Sequence, residues 1–198
     1  TSRSGLIVRR PAEQVLVDEL RNRPVVVTGE AGAGKTMMVL AVAELFRAAG
    51  ATIVSATARP DPNRPMEVMA ELVDQLSLEF AERAAALLDH ATTAAAVSRL
   101  RGATSARWPL ISRDELITEL TGYVASLATA GHVLLIVDDA HWLDSSSAEI
   151  LGRLMAHLPD VAARVLEVHP TLARLQPGRR IRSIETASGD QALDRGNV

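Results

Sequence analysis

The sequence predicts an α/β fold in which helices cover both faces of a parallel sheet, and three observations carry that prediction. Hydrophobic residues make up 47% of the 198-residue chain but aromatics only 3%. The core must therefore be built from Ala, Val, Leu and Ile, which favours an α/β or helical domain over a β-sandwich. Three short runs, VVVT at 25–28, ATIVSA at 51–56 and VLLIVD at 133–138, have the composition of buried strands. Helical segments stand between them, which is the alternation of a parallel sheet.

Taken in order, VVVT is entered from Pro24 and left through Gly29, punctuation that bounds a strand. MMVLAVAELFRAAG, 37–50, is apolar nearly all round and closes on Gly50, so it reads as a buried helix with Met37 and Met38 in the core. The interval between the second and third strands is too long for an ordinary crossover and contains a helical insertion, 59–112. It opens with the proline-rich loop RPDPNRP, 59–65. Met66, Met69, Val73, Leu76 and Phe80 then recur at steps of three and four, one face of a helix. The alanine-rich stretch 84–100 reads as helix and GATSARWP, 102–109, as loop. Ser112 and Glu115 have capping-box spacing ahead of a helix whose apolar face is Leu116, Leu120, Val124 and Leu127. These helices are expected as a small subregion on the sheet's edge.

Beyond the third strand, Ser146 and Glu149 repeat capping-box spacing, and Asp144 is itself a good N-cap. The helix behind them carries Ile150, Leu151, Leu154, Met155 and Leu158 and stops at Pro159. RVLEVHP, 164–170, reads as a weak strand interrupted by Glu167, and RRIRSIE, 179–185, as an edge strand with a basic cluster at Arg179, Arg180 and Arg182. The domain is thus 1–186, and 187–198 is a polar tail expected to be disordered.

Composition excludes several classes. The net charge of −3, with both signs interspersed, argues against direct DNA binding. The absence of cysteine removes disulfides and thiolate metal sites and fits a cytoplasmic location. No apolar run approaches the ~18 residues of a membrane span, and the five histidines lack zinc-ligand spacing.

GEAGAGKT, 29–36, matches G-x-x-x-x-G-K-[ST] and stands between a strand and a helix, the context in which that pattern binds phosphate. Glycines at 29, 32 and 34 permit positive φ, so that successive N–H groups can wrap an anion at the positive end of the new helix. The expected nucleotide contacts are Gly29, Glu30, Ala31, Gly32, Ala33, Gly34, Lys35 and Thr36, with Met37 behind them. Lys35 supplies a cation to the β- and γ-phosphates, and Thr36 a hydroxyl to Mg²⁺. Asp138 and Asp139 close the third strand, and like charges side by side need a reason. A nucleotide site supplies one: Asp138 serves the metal and Asp139 polarises the attacking water. Trp142 is expected to bury this loop against the helix at 147–158. His141 reads as a loop histidine that caps or packs, ahead of a water-orienting role.

GEAGAGKT followed by VDDAHWLDSSSAEIL resembles the ATPase module of the signal-transduction ATPases with numerous domains, above all those of large LuxR-type transcriptional regulators and related bacterial nucleotide cyclases. The likeness reaches the N-terminus, where VRRPAEQVLVDEL is similar to that family's V-G-R-x-x-E-x-x-x-L segment near the adenine. It implies a three-layer P-loop NTPase sandwich of about five parallel strands, with a helical insertion between the second and third. It further implies an ATP/ADP and Mg²⁺ switch, with slow hydrolysis, acting on other domains or protein subunits. The alternatives are a nucleotide-binding module with little or no hydrolysis, or an AAA+ ATPase acting on DNA. The sequence departs from the family at Arg9, where Gly is usual, and at 165–174, where a Thr/Ser-x-Arg sensor is usual. It also ends ahead of the family's helical lid and winged-helix region, as a fragment, a truncated gene product or a stand-alone module would.

Overall fold

The computed structural model describes residues 11–30, 32–60, 65–102, 109–157, 163–169, 182–186 and 192–194, the last three segments as backbone. The strands are β1 (Val25–Gly29), β2 (Thr52–Thr57), β3 (Val133–Asp138), β4 (Ala163–His169), β5 (Arg182–Thr186) and β6 (Ala192–Asp194). The helices are α1 (Pro11–Leu20), α2 (Lys35–Ala48), α3 (Glu67–Glu79), α4 (Ala81–Leu88), α5 (Ala91–Leu100), α6 (Arg113–Ala128) and α7 (Ser145–His157). The described strands form one sheet in the order β2-β3-β4-β1-β5-β6, parallel throughout except for β6. The sequence led to an expectation of about five strands. The sixth lies inside the tail expected to be disordered.

The alternation of β3 sets up two layers. Leu134 and Ile136 join Val25 and Val27 of β1 under α1 and α2, through Leu16, Leu20, Val39 and Val42. Val133, Leu135 and Val137 join Val54 and Ala56 of β2 on the opposite face, under α3, α6 and α7. Here Leu72, Leu76, Ile117, Leu120 and Ile150 are completely buried. The helices of the insertion therefore do more than decorate an edge: their apolar stripes need a partner surface, and the β2–β3 face provides it. α3 also closes the free edge of β2. The Gln75 side-chain amide donates to Ser55 O at 2.7 Å and accepts from Ser55 N at 3.1 Å, standing in for a neighbouring strand.

Other expectations need correction. α2 is not buried all round: Met38, Val39, Val42 and Ala43 face the sheet, but Met37 is 70% and Leu40 53% exposed, because a helix lying on one face of a sheet leaves its outer stripe to solvent. The stretch 84–100 is divided between α4 and α5, with His90 extended between them. Glu167 does not break β4, which is interior: Glu167 registers with Val26 on one side and Val137 on the other. Backbone hydrogen bonds make a strand, and they do not depend on which side chain follows. β5 is not an edge strand, since β6 pairs with it. Among the described residues no helix is long and apolar enough to cross a membrane. The segment around Arg9, Ala31, most of the 102–109 loop, Leu158, Pro159, Thr171, Arg174, Arg179 and Arg180 lie outside the described residues.

Candidate functional site

Because β1 and β3 run parallel, Gly29 and Asp138 finish at the same end of the sheet, the end at which open α/β sheets form ligand crevices. From Gly29 the chain turns into α2, with Gly32 at φ 81° and Gly34 at φ 77°. Only glycine holds that left-handed geometry without strain. Gly34 is the N-cap of α2, and no side chain caps the helix there. The first-turn N–H groups and the positive end of the helix dipole are left for a ligand.

Lys35 folds back over the loop, its Nζ donating to Gly29 O at 2.9 Å and to Glu30 O at 2.8 Å. Thr36 Oγ1 donates to Asp138 Oδ2 at 3.3 Å, joining positions 102 residues apart. The other oxygen, Oδ1, accepts from Asp139 N at 2.9 Å. Asp139 itself is left-handed, at φ 54°, a conformation that aspartate tolerates better than most residues. A cavity of about 470 Å³ lies between the two segments. Gly32, Gly34, Lys35, Thr36 and Met37 form one wall, and Asp138, Asp139 and His141 the other.

Most of the expected residues thus meet at one place. Gly29 and Glu30 contribute carbonyls to Lys35 rather than cavity wall. Ala33 sits in the turn, its N–H donating to Glu30 O at 3.2 Å, and Ala31 lies outside the described residues. Met37, expected in the core, stands instead at the rim.

His141, read from the sequence as a loop histidine that caps or packs ahead of a water-orienting role, has surroundings that fit both. It belongs to a single 3-10 turn, Ala140–Trp142, and lines the cavity with Nδ1 4.0 Å from Asp139 Oδ1. Its place two residues beyond the acidic pair was the available signal. Trp142 is not the expected buried anchor: it is 49% exposed and packs on His141 with ring centroids 4.8 Å apart and the planes tilted by 43°. The loop is held by buried Ala140 and by Leu143, which packs on the core.

Past this turn Asp144 caps α7, and Ser146 falls inside the helix rather than at its cap. Asp144 Oδ1 accepts from Ser146 N at 3.0 Å and Ser147 N at 3.1 Å. Its Oδ2 accepts from Ser147 Oγ at 2.6 Å and from Met66 N at 2.9 Å. Burial pushes this carboxyl up, but the bonds from Ser147, Met66 and Ser146 outweigh it and hold the group below the usual aspartate range. Glu149 is not part of a cap: it pairs with Arg153 at 2.8 Å and Arg113 at 3.1 Å.

The neighbouring hydroxyl of Thr36 and carboxylate of Asp138 fit a hard cation that prefers oxygen. Among the described residues no group of three or more His, Asp or Glu makes a metal cage. A cation here would complete its shell from phosphate and water, as Mg²⁺ does in nucleotide sites.

The AAA ATPase domain family matches residues 13–168. No curated protein is significantly similar in sequence. Among solved structures, a Signal Transduction ATPase with Numerous Domains carrying a tetratricopeptide repeat sensor, from Pyrococcus horikoshii, shares the fold with a TM-score of 0.52 at 14% identity, over 94% of this chain and 24% of that one. Drosophila ORC bound to AT-rich DNA and Cdc6 aligns with a TM-score of 0.44 at 14% identity, over 82% of this chain and 45% of that one. The chain spans about a quarter of the length of the Pyrococcus protein.

Proposed function

Because the chain belongs to the AAA ATPase domain family, we propose that it binds ATP and ADP with Mg²⁺ and hydrolyses ATP slowly, as the cytoplasmic switch module of a bacterial multidomain signalling or transcriptional regulator. The observation that carries this reading is the meeting of the uncapped α2 N-terminus, Lys35 and Thr36 with Asp138 and Asp139 around one cavity. The backbone N–H groups from Gly32 to Thr36 take the phosphate oxygens. Lys35 exchanges its two carbonyl partners for β- and γ-phosphate oxygens. Thr36 and Asp138 would hold Mg²⁺, which would neutralise charge on the phosphates.

Asp139 then orients a water in line with the γ-phosphorus and takes its proton. The water oxygen bonds to the γ-phosphorus as the bond to the β,γ-bridging oxygen breaks, ADP and inorganic phosphate leave, and the proton passes from Asp139 to solvent. The regulator half of the reading is supported by the DDAHWLD segment and by the multidomain character of the Pyrococcus protein. Its partners would be further domains or protein subunits. A second reading, nucleotide binding with little hydrolysis, draws on the absence of a Thr/Ser-x-Arg sensor at 165–174.

Calorimetry on wild type and Lys35→Ala tests the core of the proposal. The wild type is expected to bind Mg-ATP and Mg-ADP, and the variant to lose about 10- to 100-fold in affinity, the scale of charge-assisted hydrogen bonds to phosphate. Equal affinity for both proteins would overturn the phosphate-loop assignment. Measurement of released phosphate then separates the hydrolytic reading from the binding-only one.

A further inference from the structure

Two bonds flank the segment that leads into the insertion, one continuing the β2–β3 ladder just before it and one made by the insertion itself. Ala58 N donates to Asp138 O at 2.9 Å, and Met66 N donates to Asp144 Oδ2 at 2.9 Å. The acceptors bracket the turn that carries Asp139 and His141, and the donors bracket the start of the insertion. Met66 is the N-cap of α3 and is left-handed, at φ 64°, with its side chain buried. A non-glycine residue is strained in that geometry, and it persists only where its surroundings dictate it. The carboxylate of Asp144 is one such determinant, and its oxygens are divided: Oδ1 receives the two backbone N–H groups of α7, and Oδ2 receives Met66 N–H with the Ser147 hydroxyl.

We propose that Asp144 is a positioning residue whose second oxygen locks the Asp139–His141 turn to the first turn of α3, so that the nucleotide state at Asp138 and Asp139 and the position of the insertion are coupled. The inference rests on the nucleotide reading given above. It makes the insertion the element through which this module reports what it has bound. Rearrangement around the γ-phosphate shifts the turn, Asp144 carries that shift to Met66, and α3 moves against the edge of β2 that Gln75 closes. Coupling of this kind is reciprocal: whatever displaces α3 also misplaces Asp139.

Asp144→Asn isolates the coupling from the cap. Asparagine caps helices about as well as aspartate, through its carbonyl oxygen. The amide nitrogen that replaces the second oxygen can only donate, so it cannot receive Met66 N–H. The variant is expected to stay folded and to bind Mg-ATP within about twofold of wild type, while phosphate release falls about 10-fold because the group acting on water is misplaced. The Met66 amide should exchange with solvent about 10-fold faster, and its wild-type difference between Mg-ATP and Mg-ADP should vanish. Ser147→Ala, which leaves the Met66 bond in place, should retain that difference.

In the wild type alone, Met66 and the first turn of α3 must exchange differently with Mg-ATP and with Mg-ADP. Equal protection in both states overturns the coupling, whether or not any variant folds. Wild-type nucleotide binding together with unaltered Met66 exchange in Asp144→Asn sinks this inference and leaves the ATPase reading standing. Failure of the wild type to bind either nucleotide overturns both.

Discussion

Two helices begin beside the cavity, and they begin in opposite ways. α2 starts at Gly34, left-handed and with no side chain over its first N–H groups. α7 starts behind Asp144, whose carboxylate takes two of its N–H groups and the Ser147 hydroxyl. A glycine N-cap costs a helix only about a few tenths of a kcal/mol relative to aspartate, so the first arrangement keeps an anion site open at small cost, and the second uses a carboxylate to hold the chain together. One terminus is built to be completed from outside, the other from within.

The sharpest way to break this contrast is at the carboxylates facing the open terminus. Asp139→Asn should leave Mg-ATP binding nearly intact and lower hydrolysis by about 100-fold, the effect of losing one general base. Asp138→Asn should instead weaken metal-dependent binding, since a formal charge beside Thr36 disappears. Titration calorimetry with and without Mg²⁺, paired with phosphate-release assays, reads both. Identical behaviour of the two variants would mean that the division of labour between them is wrong.

At the closed terminus, Asp144→Ala should destabilise the fold by about 2 kcal/mol, through loss of the cap and of charge-assisted bonds to partly buried donors. Its pH dependence has a definite sign. The folded carboxyl titrates below the unfolded aspartate value of about 3.9, so its contribution is complete above that value and drains away as pH falls through the lower folded value. Urea unfolding near neutrality and near pH 3 should show the wild type losing more of its advantage than Asp144→Ala over that interval. A difference between the two proteins that stays constant across it would contradict the assignment.

Gly34→Ala probes the open terminus by strain alone. A Cβ there meets nothing within 4 Å, so the expected loss of about 1 kcal/mol comes from φ 77° and not from crowding. The smallest effect belongs to the other closed terminus, at α6. There Ser112 accepts from Glu115 N at 3.2 Å and Glu115 Oε2 accepts from Ser112 N at 2.7 Å. This box is exposed, and Ser112→Ala should cost about 0.5–1 kcal/mol with no change in nucleotide affinity. A change in affinity would link α6 to the site more closely than the contacts around it suggest.

Much of the molecule was legible because its signals are local. The phosphate loop needs its glycines, lysine and threonine within eight consecutive positions. The strand at 133–138 is a continuous apolar run up to its final aspartate, and the α6 box is a spacing of three. Where a reading failed, the missing information lay in how the chain is folded in space. Trp142 looked like an anchor because it is large and apolar, but Ala140 and Leu143 face the core, and only the direction of the 3-10 turn decides between them. That His141 shares a cavity with Lys35 and Thr36 is likewise set by residues distant in the chain.

By itself, then, the sequence determined which segments become strands and helices around the site, where α6 begins, and which loop is prepared for phosphate. Helix periodicity, caps and glycine conformations act over three to seven residues, so a single chain displays them. Tertiary structure decided what has no local cause. β4 runs between β1 and β3 through Glu167 because backbone pairing on both sides sets the strand. Met37 and Leu40 stay outside because the sheet can bury only one stripe of α2. Met66 keeps a strained backbone beside a carboxylate 78 residues away. Such contacts form only after the chain has closed large loops, and no pattern of neighbouring residues encodes which distant group will be waiting.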